Sequence, residues 1–340
     1  MLNYEDRKKS INKQIELISE LNHLNKKLFV SNQIFLHPYC QGFEIEHIQN
    51  LIKESDDPDN AVLTFFGRKF FNLKTNLSIL HGYCGKQPYL KEYINTITRS
   101  LSLCIQYEYQ GAISVLIPVI EGTLRKYMVD KLGEKNVSIT SMQELLKAIK
   151  IMRSDHLKLL RAAYEKDFSK NGKSVDQNKV KNLLKLDGEN FDLWSEQFEI
   201  FIRDYLFRYT RNTDVIDDLN RHIITHRFKD KIDFSFKNYL RVYHSLFHLS
   251  WLINCSQPNG SPFSDPDENL VFNEYITLLN LLMLSESSRF VKERLYGEKI
   301  NSFNTFLTDE YRYAIGRSGK EIEKILMRLH IDADGKEKQP

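Results

Sequence analysis

Gln110–Gly133 reads QGAISVLIPVIEGTLRKYMVDKLG, and how this run is read decides the fold. Its apolar block, Ile113–Ile120, passes into Glu121, Arg125 and Lys126 with no turn signal between them, as one long helix requires. Gly133 stands where a helix stop belongs, and Pro118 inside the apolar block predicts a kink. The block is too short to span a bilayer, and so is the second strong apolar run, Ile276–Leu284.

Helical patterns continue on both sides. Upstream, Pro88–Tyr109 (PYLKEYINTITRSLSLCIQYEY) reads as one helix. Downstream, Ser141-x-x-Glu144 is a capping box that opens SMQELLKAIKIMR. Residues 167–178, DFSKNGKSVDQN, have no apolar period and read as a polar loop. Helical spacing returns in 190–210 through Trp194, Phe198, Phe201, Ile202 and Tyr205. The next element starts at TDVIDDLNRHIITHRF, with Thr213 or Asp214 as N-cap and acids in its first turn. Phe234–Asn254 closes the region as another apolar-faced helix.

The flanks are less regular. Residues 5–28 place Ile11, Ile15, Ile18, Leu21, Leu24 and Leu28 at steps of three and four, an amphipathic helix that must pack on something. From Val30 to Phe71 the pattern is mixed: FLHPYC and ESDDPDN read as loops, and AVLTFFGRKFF fits a strand pair or a short helix equally well. Residues 255–268 hold three of the eight prolines and read as a linker. Beyond it, 269–295 is helical, and SGKEIEKILMRL is a short final helix. Strand signals are weak throughout and no fixed-period repeat is present, so the class is all-α. The expected organisation is an N-terminal, mostly helical region at 1–87, a helical bundle at 88–255, a linker at 256–268 and a C-terminal helical region at 269–340.

Composition sets the outer bounds. Of 340 residues, 41% are hydrophobic and 27% charged, which is globular rather than disordered. Gly (14) and Pro (8) are scarce, as long helices with few tight turns require. A net charge of +3 permits a polyanionic partner without requiring one. Cys40, Cys84, Cys104 and Cys255 show no CxxC spacing and read as buried thiols of a reducing compartment. The polar, mixed-charge start MLNYEDRKKSINKQ is not a signal peptide, so a cytoplasmic protein with no membrane partner is expected.

The chemistry concentrates in Leu219–His226, LNRHIITH. On a helix, His222 and His226 are four apart and share a face. Arg221 lies five before His226, roughly 140° around the axis at ~100° per residue, and its long side chain can swing towards that imidazole. Cleaving RNA through its own 2′-hydroxyl needs a base, an acid and a cation on the phosphorane. Imidazole suits both proton roles near neutral pH, guanidinium clamps phosphate, and no metal or other cofactor is needed. Arg227, Lys229 and Lys231 would add charge that tracks an RNA backbone.

These residues resemble the HEPN domains. Arg221, a polar His222 and then His226 fit the R-x4-H signature, LNRHIITH is similar to the Leu-Asn-Arg-His…His form of bacterial members, and AISVLIPVIEGTLRKYM resembles their earlier bundle helix with an acid, here Glu121, in a Pro-x-x-Glu-Gly setting. The likeness covers roughly residues 88–255. Two departures stand out: Arg227 occupies the place after the final His where many relatives have Gly, and the first ~85 and last ~80 residues match no part of the family pattern. The resemblance implies a HEPN-like helical bundle that pairs as a homodimer, bringing two motifs to one cleft. It also implies metal-independent endoribonuclease activity, in toxin–antitoxin, abortive-infection or other antiphage systems, with an antitoxin or defence-system partner protein. Carried over by position, Arg221 stabilises the phosphorane and His226 is general base or acid. His222 orients or shares the proton transfer, Asn220 is a supporting polar neighbour, and Glu121 pairs with Arg221.

Plainer readings of the same residues remain open at this level. The two His would be exposed helix positions, with Arg221 paired to Asp217 or Asp218. Glu121 would pair within its own helix with Arg125, four residues on. His222-x3-His226 also has ligand spacing, repeated in His244-x3-His248, but no third ligand is evident for a metal. The second pair sits among Leu246, Phe247, Leu249 and Trp251 and reads as packing. A non-catalytic helical module that binds RNA or protein is the alternative from a different class.

Overall fold

The computed structural model describes residues 4–32, 42–134, 142–169, 176–208, 219–221, 224, 233–258, 265–297, 299–308, 311–312 and 320. The fold is all-α, with no strand among the described residues. In chain order the helices are α1 (Tyr4–Asn32), α2 (Gly42–Glu54), α3 (Pro58–Phe71), α4 (Leu73–Tyr83), α5 (Ile94–Ile105), α6 (Tyr109–Leu132), α7 (Met142–Ser169) and α8 (Gln177–Ile200). They continue with α9 (Phe236–Cys255), α10 (Glu268–Ser287) and α11 (Arg289–Tyr296). Among the described residues, no helix is long and apolar enough to cross a membrane.

The middle of the fold is α9. Apart from Lys237, Trp251 and Cys255, all of its residues are buried, so it is enclosed on every side rather than amphipathic. It packs against α3, α4, α6, α7 and α8. Alongside it, α6 buries the pairs Ala112/Ile113, Leu116/Ile117, Val119/Ile120, Thr123/Leu124 and Tyr127/Met128, which recur once per turn. Each fully buried aliphatic or aromatic side chain of this kind contributes about 1.5–3 kcal/mol. Pro118 is on the exposed face of α6, where its missing N–H faces away from the core. Gly133 ends the helix with φ of 80°, a conformation glycine adopts without strain.

Local chemistry sets the other boundaries. Asp57 accepts from the Asn60 N–H (3.2 Å) ahead of Pro58, which makes AVLTFFGRKFF a helix rather than a strand pair. Asp176, Ser235 and Asp267 cap α8, α9 and α10 in the same way. The helix expected from Pro88 begins at Ile94 after a 3-10 turn, and stops at Ile105 rather than running to Tyr109. Its stop is tertiary: Tyr107 takes a positive φ of 65°, with its ring stacked on Phe303 (centroids 4.4 Å apart) and its hydroxyl on Glu286. A left-handed non-glycine residue costs of order 1–2 kcal/mol, which these contacts offset. The polar stretch 167–178 is shorter as a loop than its composition suggests, because α7 runs to Ser169 and α8 starts at Gln177. The C-terminal helix breaks at Ser288 into α10 and α11. FLHPYC, Ser141 of the capping box, 211–218 and nearly all of SGKEIEKILMRL lie outside the described residues.

One apolar core runs from Ile18 to Leu307 and draws on all three helical regions. Buried Gly67 shows the closeness: a methyl there would come within 2.4 Å of the Phe306 ring. The expected N-terminal amphipathic helix finds its partner in α8, where Asn22 donates to the Leu193 carbonyl (2.9 Å) and accepts from Gln197 (2.6 Å). A smaller cluster of Ile11, Tyr164, Val180, Leu183 and Leu184 joins α1, α7 and α8.

Candidate functional site

After α8 the chain adds a π-helical turn, Phe201–Leu206, closed by the Phe207 N–H on the Ile202 carbonyl (3.0 Å). The carbonyls at the end of this turn need donors. Asn220 supplies them: its fully buried amide donates to the carbonyls of Tyr205 (3.2 Å) and Arg208 (2.8 Å). Leu219 beside it is also fully buried, within the main core. The Ile224 N–H then bonds the Asn220 carbonyl at 3.0 Å, one helical turn on. Leu219 and Asn220 thus anchor the segment, and the residue that follows them turns outward.

That residue is Arg221, whose side chain is 40% exposed. Its Nε is 3.2 Å from Glu121 Oε2 on α6, and its guanidinium sits 6.0 Å from the Phe207 ring centroid. The other oxygen of Glu121 accepts from Arg125 Nη2 at 2.9 Å. Both pairings considered for Glu121 therefore coexist, and its carboxylate, 13% exposed, lies between two cations. Among the described residues, the guanidiniums of Arg221 and Arg125 meet on the one carboxylate of Glu121 at a half-open surface. Arrangements of this kind attract a phosphate.

The glycine after Glu121 has a steric reason. A Cβ on Gly122 would lie 2.5 Å from the Tyr93 hydroxyl, so a larger residue there would push the Tyr93 ring off α6. Asn220, expected as a supporting polar neighbour, is buried and anchors the segment through the carbonyls of Tyr205 and Arg208, a detail the sequence did not reveal. Sequence reasoning also missed Phe207, beneath Arg221, and Arg241, a buried α9 guanidinium. Arg241 donates to Asn238 Oδ1 (2.9 Å) and lies 5.3 Å from the Tyr205 ring centroid. The available signal for Arg241 was a polar stripe, Asn238, Arg241, Ser245 and His248, along a helix that is otherwise largely apolar. His222, His226, Arg227, Lys229 and Lys231 lie outside the described residues, as do Asp217 and Asp218.

The second histidine pair packs. His248 stacks on Phe198 (centroids 5.6 Å, planes 2° apart), and His244 meets Phe66 edge-on at 4.9 Å. Among the described residues, no three His, Cys, Asp or Glu side chains converge as a metal site. Burial pushes the thiols of Cys84 and Cys255 up to about 12 and that of Cys104 well above its ordinary value, so none of the three is a ready nucleophile. Compared with known proteins, the chain matches no family model, no curated protein and no solved structure.

Proposed function

We propose that the chain is a metal-independent endoribonuclease of HEPN type, acting in the cytoplasm as a homodimer, in phage defence or as a toxin. The observation that carries this reading is the grip of Glu121 on Arg221, made by a segment whose neighbours Leu219 and Asn220 are locked into the core. A carboxylate that holds Nε orients the guanidinium without neutralising the two-cation cluster. Such a group binds a phosphate and stabilises the extra charge of a phosphorane more than that of the ground-state diester, which is the condition for catalysis.

In the proposed reaction the ribose 2′-oxygen attacks phosphorus and the 5′-oxygen departs. A base removes the 2′-hydroxyl proton and an acid protonates the leaving oxygen, which yields a 2′,3′-cyclic phosphate and a 5′-hydroxyl. His226 takes one of these proton roles, and His222 orients it or shares the transfer. Arg227, Lys229 and Lys231 hold flanking phosphates. Pairing of two copies supplies the second set of imidazoles, and an antitoxin or defence-system protein restrains or triggers the activity.

The test incubates purified protein with bulk cellular RNA in EDTA, beside an Arg221→Ala/His226→Ala variant. Cleavage that survives EDTA and vanishes in the variant supports the enzyme. Cleavage abolished by EDTA, or equal in both proteins, refutes it. RNA binding without cleavage favours the non-catalytic module.

A further inference from the structure

Among the described residues, eight large apolar side chains are exposed, and seven of them belong to α10 and α11. On α10 these are Leu270, Phe272, Ile276 and Leu284, and α11 adds Phe290, Val291 and Leu295. Scattered singly, exposed apolar residues are ordinary, but gathered on two consecutive helices they mark a surface that another molecule covers. The opposite face of α10 is already used. Val271, Leu278, Leu282 and Ser285 are buried where the helix packs on α4 and α5.

The outward face also lacks charge. Charged residues make up 27% of the chain, yet Glu268, in the first turn, is the only charged residue among those that α10 exposes. Glu274 is turned to His81 on α4, at 2.7 Å, and Glu286 is buried. Between the apolar side chains the exposed face carries amides and a hydroxyl, Asn273, Thr277 and Asn280. Their spacing is regular. Leu270, Thr277, Leu284 and Val291 recur every seven residues, and so do Asn273, Asn280 and Ser287. Two rows with that repeat make the seam of a helix pair, because a period of 3.5 keeps both rows facing the partner.

Three features select a second copy of this chain as the occupant. An asparagine amide both donates and accepts, so the asparagine row satisfies itself across a two-fold axis. Charges beside a seam select unlike partners, and α10 exposes none beyond its first turn. The size also fits. α10 and α11, of 20 and 8 residues, give about 42 Å of helix about 12 Å wide. That is on the order of 500 Å² per copy and 1,000 Å² per pair, where specific contacts begin.

We propose that the outward face of α10 and α11 pairs with the same face of a second copy, the asparagine rows meeting at the seam. The contact stands whether or not two Arg221 side chains meet, and so does not rest on the nuclease reading.

Analytical ultracentrifugation of the full chain at micromolar concentration tests this with two charged variants, Asn273→Glu/Asn280→Glu and Asn273→Lys/Asn280→Lys. Both positions are exposed, so the fold is expected to persist, and matched Tm values check it. The wild type is expected to self-associate. Each variant alone is expected to have half the wild-type mass, because like charges then face each other across the seam. Mixing the two variants is expected to restore the wild-type mass, which only a contact between copies through this face can do. A monomeric wild type, a variant that keeps the wild-type mass, or a mixture no heavier than its components would each overturn the proposal. The readout is mass rather than RNA cleavage, so its failure is separate from that of the nuclease.

Discussion

Replacing Asn220 by alanine removes a fully buried side chain and its hydrogen bonds to the carbonyls of Tyr205 and Arg208, which are themselves partly buried. A typical internal hydrogen bond contributes about 1 kcal/mol net, and leaving its buried acceptor unpaired adds to the loss, so the two together cost about 2–3 kcal/mol. An unfolding entropy of about 2.1 cal/mol/K per residue converts this to a drop in Tm of about 3–4 °C for the 340-residue chain. Asn220→Asp has nearly the same shape but accepts only, so at pH 7 its carboxylate would face two carbonyl oxygens at close to 3 Å. It is expected to be worse than alanine. Differential scanning calorimetry with a urea titration reads both variants, and RNA cleavage by the folded fraction reports whether Arg221 has lost its position. An Asn220→Asp protein as stable as the wild type would refute the anchor, and with it the account of how Arg221 is presented.

Three other changes probe neighbouring links. Glu121→Gln keeps the shape but weakens the hold on Arg221, and cleavage is expected to fall about tenfold in kcat with little change in KM, measured by single-turnover kinetics on a fluorescent RNA; an unchanged kcat removes Glu121 from any positioning role. Gly67→Ala forces a methyl against Phe306, whose ring stacks on Phe71, and should cost about 1–3 kcal/mol by chemical denaturation. An unchanged midpoint would show that the 303–307 segment does not lie on α3. His156 binds protons less readily folded than unfolded, so the folded state loses stability as pH falls below the ordinary value of 6.5, and none of that loss is present at neutral pH. His156→Asn keeps a donor for the Cys255 carbonyl, and its Tm should fall less between pH 7 and pH 5 than that of the wild type. Parallel pH profiles would show that His156 titrates normally. Asp187, raised by burial and in contact with the charge of His156, acts in the opposite sense from 3.8 upward.

The elements legible in the sequence were those whose ends carry local chemistry. The extent of α6 followed from its apolar run and Gly133. Where tertiary contacts decide, the letters were silent. Aromatic and β-branched residues in 61–71 suit either secondary structure, and the helix is settled by its Asp57–Pro58 start and by Phe66, Phe70 and Phe71 packing inward. Tyr107 ends a helix in a conformation its residue type disfavours, because Phe303 and Glu286, far along the chain, hold it there. The candidate site was half legible. The Pro-x-x-Glu-Gly setting marked Glu121, and the sequence left pairing with Arg125 or with Arg221 open. The anchoring by Asn220 depends on where the carbonyls of Tyr205 and Arg208 end up, and no local pattern encodes that.

The central claim is that Arg221, oriented by Glu121, stabilises the attack of a ribose 2′-oxygen on its neighbouring phosphate. End-group analysis of RNA cut in EDTA tests it most directly. The account predicts 2′,3′-cyclic phosphate and 5′-hydroxyl ends, and no cleavage of a strand whose 2′-oxygens are all methylated. Cleavage of that methylated strand, or 5′-phosphate ends, would contradict it.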